Sequence, residues 1–463
     1  MFPKEVYIKR RSELKKRLGK GLAFLPGNHE SPMNYAANPY HFRQESTFLY
    51  YFGIDEPDRA GIIDIDNDID AIYGNEAGLE DIIWTGTRKS LVEISKQAGI
   101  EVVKSYNTLA DDLKKARDSG REIHFLPACR ADIKDRLSWL FGKNTQEINS
   151  IASPDLIRAV VAQRSVKDLY ETADMENTMT MVTAPFYHEA MKQCAPGKFE
   201  YEMAGLMEGM VLKNNCRMAY PIICSVNGQI LHNHYYGNKM NEGDLLLVDA
   251  GAESPMHYAT DITRTIPVSG KFSNRQKEIY QLVLKALNES ISLIKPGIKY
   301  LQVHLNAAKI IIEGLKDLGL MKGNTDEALA AGAHAMFFPH GLGHMIGLDV
   351  HDMENLGENY VGYDGFTQRS QQFGTQYLRL AKELREGFTL TVEPGIYFIP
   401  ALIEKWKSEN HLADFFNFEK ISGFVNFGGI RIEDNVLVTA EGCKVLGSPI
   451  AKSSDEIESI MKR

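Results

Sequence analysis

The segment Asp244–Thr265, DLLLVDAGAESPMHYATDITRT, sets two carboxylates inside what otherwise reads as buried sheet. Leu245 to Val248 form an uninterrupted aliphatic run, the pattern of a strand covered on both faces, and Ala259 to Ile266 read as a second strand. Glu253, Ser254 and Pro255 suit the turn between them. Antiparallel pairing of the two strands brings Asp249 and Asp261 near each other across the ladder, and the two-residue period puts Thr263 and Thr265 on the face of Asp261. Buried like charges are strongly unfavourable unless protons or cations neutralise them, so this hairpin calls for a source of positive charge.

Three later segments bear on that demand. Residues 338–352, FPHGLGHMIGLDVHD, carry His340, His344 and His351 in a stretch whose glycines argue against a helix despite the HxxxH spacing. In residues 390–397, LTVEPGIY, Glu393 ends an apolar strand just before Pro394 and Gly395. In residues 428–436, GGIRIEDNV, Ile430, Ile432 and Asp434 share one strand face, and Arg431 and Glu433 the other. Asp249, Asp261, Glu393, Glu433 and one histidine make an oxygen-rich set that can hold two divalent ions with bridging carboxylates. The hardness of the donors favours manganese, with zinc or cobalt as alternatives.

Bulk properties narrow the function class. A chain of 463 residues, 44% hydrophobic, has room for two or three domains. Its net charge of -9 argues against nucleic acid as a partner, and the densest basic run, Lys9 to Lys20, reads as the solvated face of a helix. The five scattered cysteines form no CxxC pair, which favours neither a disulfide framework nor a zinc knuckle. No apolar run reaches membrane-spanning length, so no membrane partner and a cytoplasmic location are expected.

Residues 21–156 mix short strands, such as Gly61 to Ile65, with helices over Thr87 to Gln97 and Leu109 to Ser119, and read as an α/β domain. Within it, Tyr40 to Asp55 (YHFRQESTFLYYFGID) reads as an aromatic strand packed in the core, with a contribution to a substrate pocket or a subunit contact as the alternative. Residues 157–166 form the junction, giving domains 1–160 and 161–463 in an α+β chain. The second domain echoes itself. A helix ends at Ala195-Pro196-Gly197 and another begins, and the same happens at Lys295-Pro296-Gly297. The helices from Asn274 to Lys295, capped by Ser273, and from Tyr300 to Leu318 are expected to cover the outside of a sheet whose inner face holds the acids.

Taken together, DITRT, HGLGH with the following DVHD, TVEPGIY and GGIRIED resemble, in order, the signatures of the pita-bread metallopeptidases of the prolidase and aminopeptidase P branch. The N-terminal FRQESTFLYYFGIDEP is similar to that family's first domain. The resemblance implies an N-terminal α/β domain with a mixed sheet, then a pita-bread domain with a curved antiparallel sheet. It implies two divalent ions: Asp249 as a terminal ligand of one, Asp261 and Glu433 bridging both, and His344 and Glu393 completing the second. Glu393 would move the proton, His351 and His232 would bond the carbonyl oxygen or the tetrahedral intermediate, and His340 would line the proline pocket. Arg431 and Arg379 are the substrate-binding candidates; Arg379 stands fourteen positions before Glu393, where prolidases hold a dipeptide's carboxylate. That arginine, and the forty-position span from Glu393 to Glu433, favour an Xaa-Pro dipeptidase over an Xaa-Pro aminopeptidase acting on longer peptides. A non-catalytic peptide-binding module is the remote alternative, and the implied assembly is a homodimer or homotetramer. Asp249 and Asp261 are twelve positions apart where the family usually shows eleven, and an extra turn residue or bulge near Pro255 is expected to absorb the difference.

Overall fold

A computed structural model describes residues 1–462 and separates the chain into two units, Met1–Arg164 with Met353–Tyr360, and Ser165–Asp352 with the chain from Val361 onward. The expected cut at residue 160 falls inside the helix Pro154–Arg164. Among the described residues, no helix is long and apolar enough to cross a membrane.

The first unit is built on a mixed sheet. β1 (Leu22–Pro26) pairs antiparallel with β2 (Ala60–Asp64), β2 antiparallel with β3 (Ile69–Tyr73), and β4 (Val102–Lys104) and β5 (Ile123–His124) lie parallel to β3 and β1. Two expectations fail here. The aromatic run is a helix, Ser46–Phe52, with every residue buried. Its ends decide the matter: the Glu45 carboxylate accepts the Phe48 N–H at 2.6 Å, and Gly53, at φ 63°, closes the last turn, so the caps outweigh the strand preference of the aromatics. The basic run lies in the helix Lys4–Leu18, but Arg10 and Arg11 are buried rather than solvated. Arg11 donates to Asp70 and to the carbonyls of Tyr51, Ala98 and Gly99, which satisfies its guanidinium inside the unit.

In the second unit the internal echo extends beyond the sequence signal. Two helix pairs, Ala184–Gln193 with Glu200–Lys213 and Asn274–Leu293 with Tyr300–Asp317, are each joined through a Pro-Gly turn. Gly197 N–H donates to the Met240 carbonyl, and Gly297 N–H to that of Leu384. Tyr201 and Leu301 repeat the match on Tyr236 and Ala381. Each tie leads through a Glu-Gly turn, with Gly243 at φ 87° and Gly387 at φ 84°, into a strand that delivers one acid, Asp249 or Glu393.

The strands of this unit pair antiparallel throughout. β6 (Arg217–Met218) pairs with β9 (Ala252–Glu253), while β7 (Ile223–Ser225) and β10 (Ile262–Pro267) flank β8 (Leu245–Ala250). β11 (Thr389–Val392) pairs with β14 (Asp434–Val438) and β12 (Gly395–Tyr397) with β13 (Gly429–Arg431), while β15 (Cys443–Val445) edges β14. A single bridge, Thr263 to Glu433, ties the two three-stranded ladders.

The hairpin differs from expectation in detail. Its second ladder strand starts at Ile262, and Ala259 makes only an isolated bridge to Glu253. Asp249 stands opposite Thr263, so Asp261, two residues earlier, is its diagonal neighbour. The register at Ala250↔Ile262 is the one kept at Glu253↔Ala259, which leaves the extra residue to the turn 254–258, where His257 takes φ 69°. The segment 428–436 is two strands rather than one, because its pairing passes from β12 to β11. Both partners break at the same place, and Glu393 and Glu433 lie in the two breaks.

Arg264 ties this frame together. Its guanidinium is buried and donates to Asp434 at 2.7 Å and to the carbonyls of Thr263, Glu433, Ile450 and Ala451. Replacing it leaves Asp434 to Lys452 alone and takes a charged donor from four carbonyls. The variant Arg264→Leu is therefore expected to lose about 3–5 kcal/mol of stability, read as a lowered urea midpoint; a midpoint like that of the parent protein contradicts this role.

Candidate active site and metal centre

Two close backbone approaches set the geometry of the site. A Cβ on Gly251 would lie 1.7 Å from the Thr260 carbonyl oxygen, so only glycine lets the chain before Asp261 run against the end of β8. A Cβ on Gly343 would lie 2.1 Å from the Thr391 oxygen; its absence lets the irregular histidine segment dock along β11. There Thr391 N–H donates to the His344 carbonyl, and Glu393 N–H to that of Leu342. His344 and Glu393 are thereby held side by side.

All five donor candidates, Asp249, Asp261, His344, Glu393 and Glu433, line one cavity of about 820 Å³. Asp261, His344 and Glu433 each offer a ligand atom within 4.8 Å of the others, and all three are buried. His344 Nε2 lies 3.4 Å from Asp261 Oδ2 and 3.7 Å from Glu393 Oε1. Its Nδ1 donates to the Met345 carbonyl at 3.0 Å, which fixes the tautomer and turns the lone pair of Nε2 toward the acids.

The acids strain against one another. Burial, then the charge of Asp249, pushes the Asp261 carboxyl well above its usual range. Burial and Asp261 do the same to Glu433, and burial and Glu433 to Glu393. Glu433 Oε2 accepts from the Thr263 hydroxyl at 2.8 Å, while the buried Oε1 has no hydrogen-bond partner. The Tyr220 hydroxyl contacts both Asp249 and Asp261, yet it has one proton to give. An orphaned oxygen, one proton between two acids, and a donor set of four carboxylates and one oriented imidazole all fit divalent cations.

Arg431 partly balances the charge. It donates to Asp249 Oδ2 at 2.7 Å and to the Tyr397 hydroxyl at 2.9 Å, and it remains charged although buried. It therefore acts directly on an acid of the cluster, a contact that its expected substrate role did not include. Tyr397 passes its proton toward His340 Nε2 at 2.8 Å, while His340 Nδ1 donates to the Gly341 carbonyl. Burial, and Arg431 after it, pushes the His340 pKa down to about 3, leaving a neutral ring in the cavity wall.

The other candidates also face the cavity. His351 packs edge-on against His344 with ring centroids 4.3 Å apart. His232 lies in reach of the charges of Arg431, Asp249, His351 and Arg379; burial, and Arg431 after it, lowers its pKa. Arg379 lines the same space, as do Phe373 and Tyr377. Tyr220 and Tyr397 escaped the reading of the sequence. Tyr220 stands in no motif, and Tyr397 sat inside TVEPGIY as one more strand aromatic.

Comparison with known proteins gives the family of the chain. Residues 174–440 match the model of metallopeptidase family M24, and residues 7–124 match the aminopeptidase P N-terminal domain. A probable Xaa-Pro aminopeptidase of Verticillium alfalfae is 33% identical over 445 residues, covering 95% of this chain and 92% of that protein. The Xaa-Pro dipeptidase of Rattus norvegicus is 32% identical over 434 residues, covering 91% and 84%. Aminopeptidase P from E. coli, solved with the inhibitor Pro-Leu, superimposes with a TM-score of 0.81 at 29% identity, covering 99% of this chain and 98% of the other. The chain is thus a metallopeptidase of family M24, carrying an aminopeptidase P N-terminal domain ahead of its catalytic domain.

Proposed function

We propose that this metallopeptidase hydrolyses the bond before proline, with Xaa-Pro dipeptides as its preferred substrates. The observation that carries the reading is the sharing of one cavity by the five donor residues and Arg379. Two divalent ions, manganese first and zinc or cobalt as alternatives, would be held by Asp249, Asp261, His344, Glu393 and Glu433. Held there, the ions supply Lewis acidity that polarises a carbonyl and makes water acidic near neutral pH.

The chain's own groups do the rest. Glu393, in the break after β11, takes the proton of the attacking water on its carboxylate and returns it to the leaving proline nitrogen. His351 and His232 donate hydrogen bonds to the carbonyl oxygen as charge develops on it. His340, kept neutral, offers an uncharged wall to the pyrrolidine ring. Arg431 holds Asp249 in place, and its charge next to that acid limits how much positive charge the site takes up. Arg379 pairs with the substrate's C-terminal carboxylate, which favours short peptides.

The second reading, an aminopeptidase acting on longer Xaa-Pro peptides, is favoured by the size of the cavity. At about 820 Å³ it leaves room beyond a dipeptide. None of the five cysteines is joined in a disulfide, which supports a cytoplasmic setting, and family resemblance supports a homodimer or homotetramer.

Dialysis against a chelator is expected to abolish peptide hydrolysis, and added manganese to restore it; a preparation insensitive to chelation excludes the reading. For Glu393→Gln, we expect kcat to fall by roughly 100- to 10,000-fold, measured beside the metal content so that loss of proton transfer is told apart from loss of an ion. For Arg379→Ala, kcat/KM on an Xaa-Pro dipeptide should fall by roughly 10- to 100-fold, with a much smaller fall on an Xaa-Pro-Xaa tripeptide. Equal losses on both substrates favour the aminopeptidase.

A further inference from the structure

His351 stands at an exit. Asp352, next to it, is the last residue of the second unit before the chain passes into the first, and the ring is carried by a loop rather than by a ladder strand. The loop 345–352 begins well anchored. Ile346 N–H donates to the Thr389 carbonyl at the head of β11, and the Gly347 carbonyl accepts the Ala259 N–H at 2.8 Å. Its far end closes at Asp352. The Asp352 N–H donates to the Met345 carbonyl at 3.0 Å, the oxygen that also accepts from His344 Nδ1. The Asp352 carboxylate meets the Lys167 ammonium at 2.8 Å, and both side chains are 1% exposed.

A glycine makes room for this pair. A Cβ on Gly347 would lie 2.6 Å from Asp352 Oδ2 and 2.7 Å from Lys167 Cε, so the loop backbone rests directly on the two side chains. Lys167 is itself held from behind. Its N–H donates at 2.8 Å to the carbonyl of Gly387, the glycine whose turn leads into β11 and on to Glu393. Desolvation offsets much of the attraction within a buried ion pair. What remains is direction, because Asp352 is held at both its N–H and its carboxylate.

Resting on the peptidase reading above, we propose that Lys167 is a positioning residue: through Asp352 it fixes the far end of the loop, so that His351 stays against His344, ring centroids 4.3 Å apart, and within the cavity where the substrate carbonyl is bound. Lys167 is not among the residues that line the cavity, and it acts only through the loop.

The test reads kcat and KM on an Xaa-Pro dipeptide, with metal content and urea midpoint beside them. Lys167→Met should lower kcat by roughly 10- to 100-fold, leave KM within about two-fold of the parent value and keep the parent's metal content. In a His351→Ala background the same substitution should cost at most about two-fold more, because the group it positions is gone. Should Lys167→Met fail to fold, Lys167→Met/Asp352→Leu takes its place with the same values expected, since the apolar pair removes the uncompensated charge of Asp352. A folded variant with parent kcat, a His351→Ala protein with parent kcat, a further loss in the His351→Ala background as large as in the parent, or a loss of metal overturns the proposal. Failure of the parent protein to cleave any Xaa-Pro substrate overturns the peptidase reading instead.

Discussion

Mutual repulsion among four acids governs this molecule. Asp249, Asp261, Glu393 and Glu433 are brought from three separate stretches of chain into one recess. Burial and neighbouring charge drive three of them upward in pKa. A fold meeting only the needs of packing would place apolar groups there, as in the surrounding strands. The surplus negative charge makes sense when cations share it, and the cost of holding the acids together without them makes the site avid for cations.

The supports of the cluster divide into two kinds. Arg264 lies behind the sheet, where it satisfies carbonyls and Asp434 and so fixes the strands that present Thr263 and Glu433. Arg431 lies on the cavity side and touches the cluster itself through Asp249. One guanidinium therefore sets geometry and the other sets charge. Because Arg431 also reaches Tyr397, and Tyr397 reaches His340, the state of the acids and the His340 side of the cavity wall are linked through one hydrogen-bonded line.

That the five candidate donors share one cavity was legible because each interrupts an apolar strand or a glycine-rich turn, where a polar side chain has no packing role. The helices Asn274–Leu293 and Tyr300–Asp317 were legible from their apolar stripes. What eluded the sequence depends on pairing at a distance. The aromatic run 46–52 became a helix through caps set by its neighbours, and the split of 428–436 into two strands follows from the change of partner from β12 to β11. Tyr220 reaches its two acids across 29 and 41 residues, and no local pattern announces such a contact.

The two halves of the catalytic unit end their equivalent strands on different acids, a short aspartate in one and a longer glutamate in the other. The shorter side chain is clamped by a guanidinium, whereas the longer one stands at a strand break beside two imidazoles. A repeated scaffold thus presents unequal side chains, one held rigid and one with reach, so a near-symmetric framework encloses an asymmetric recess.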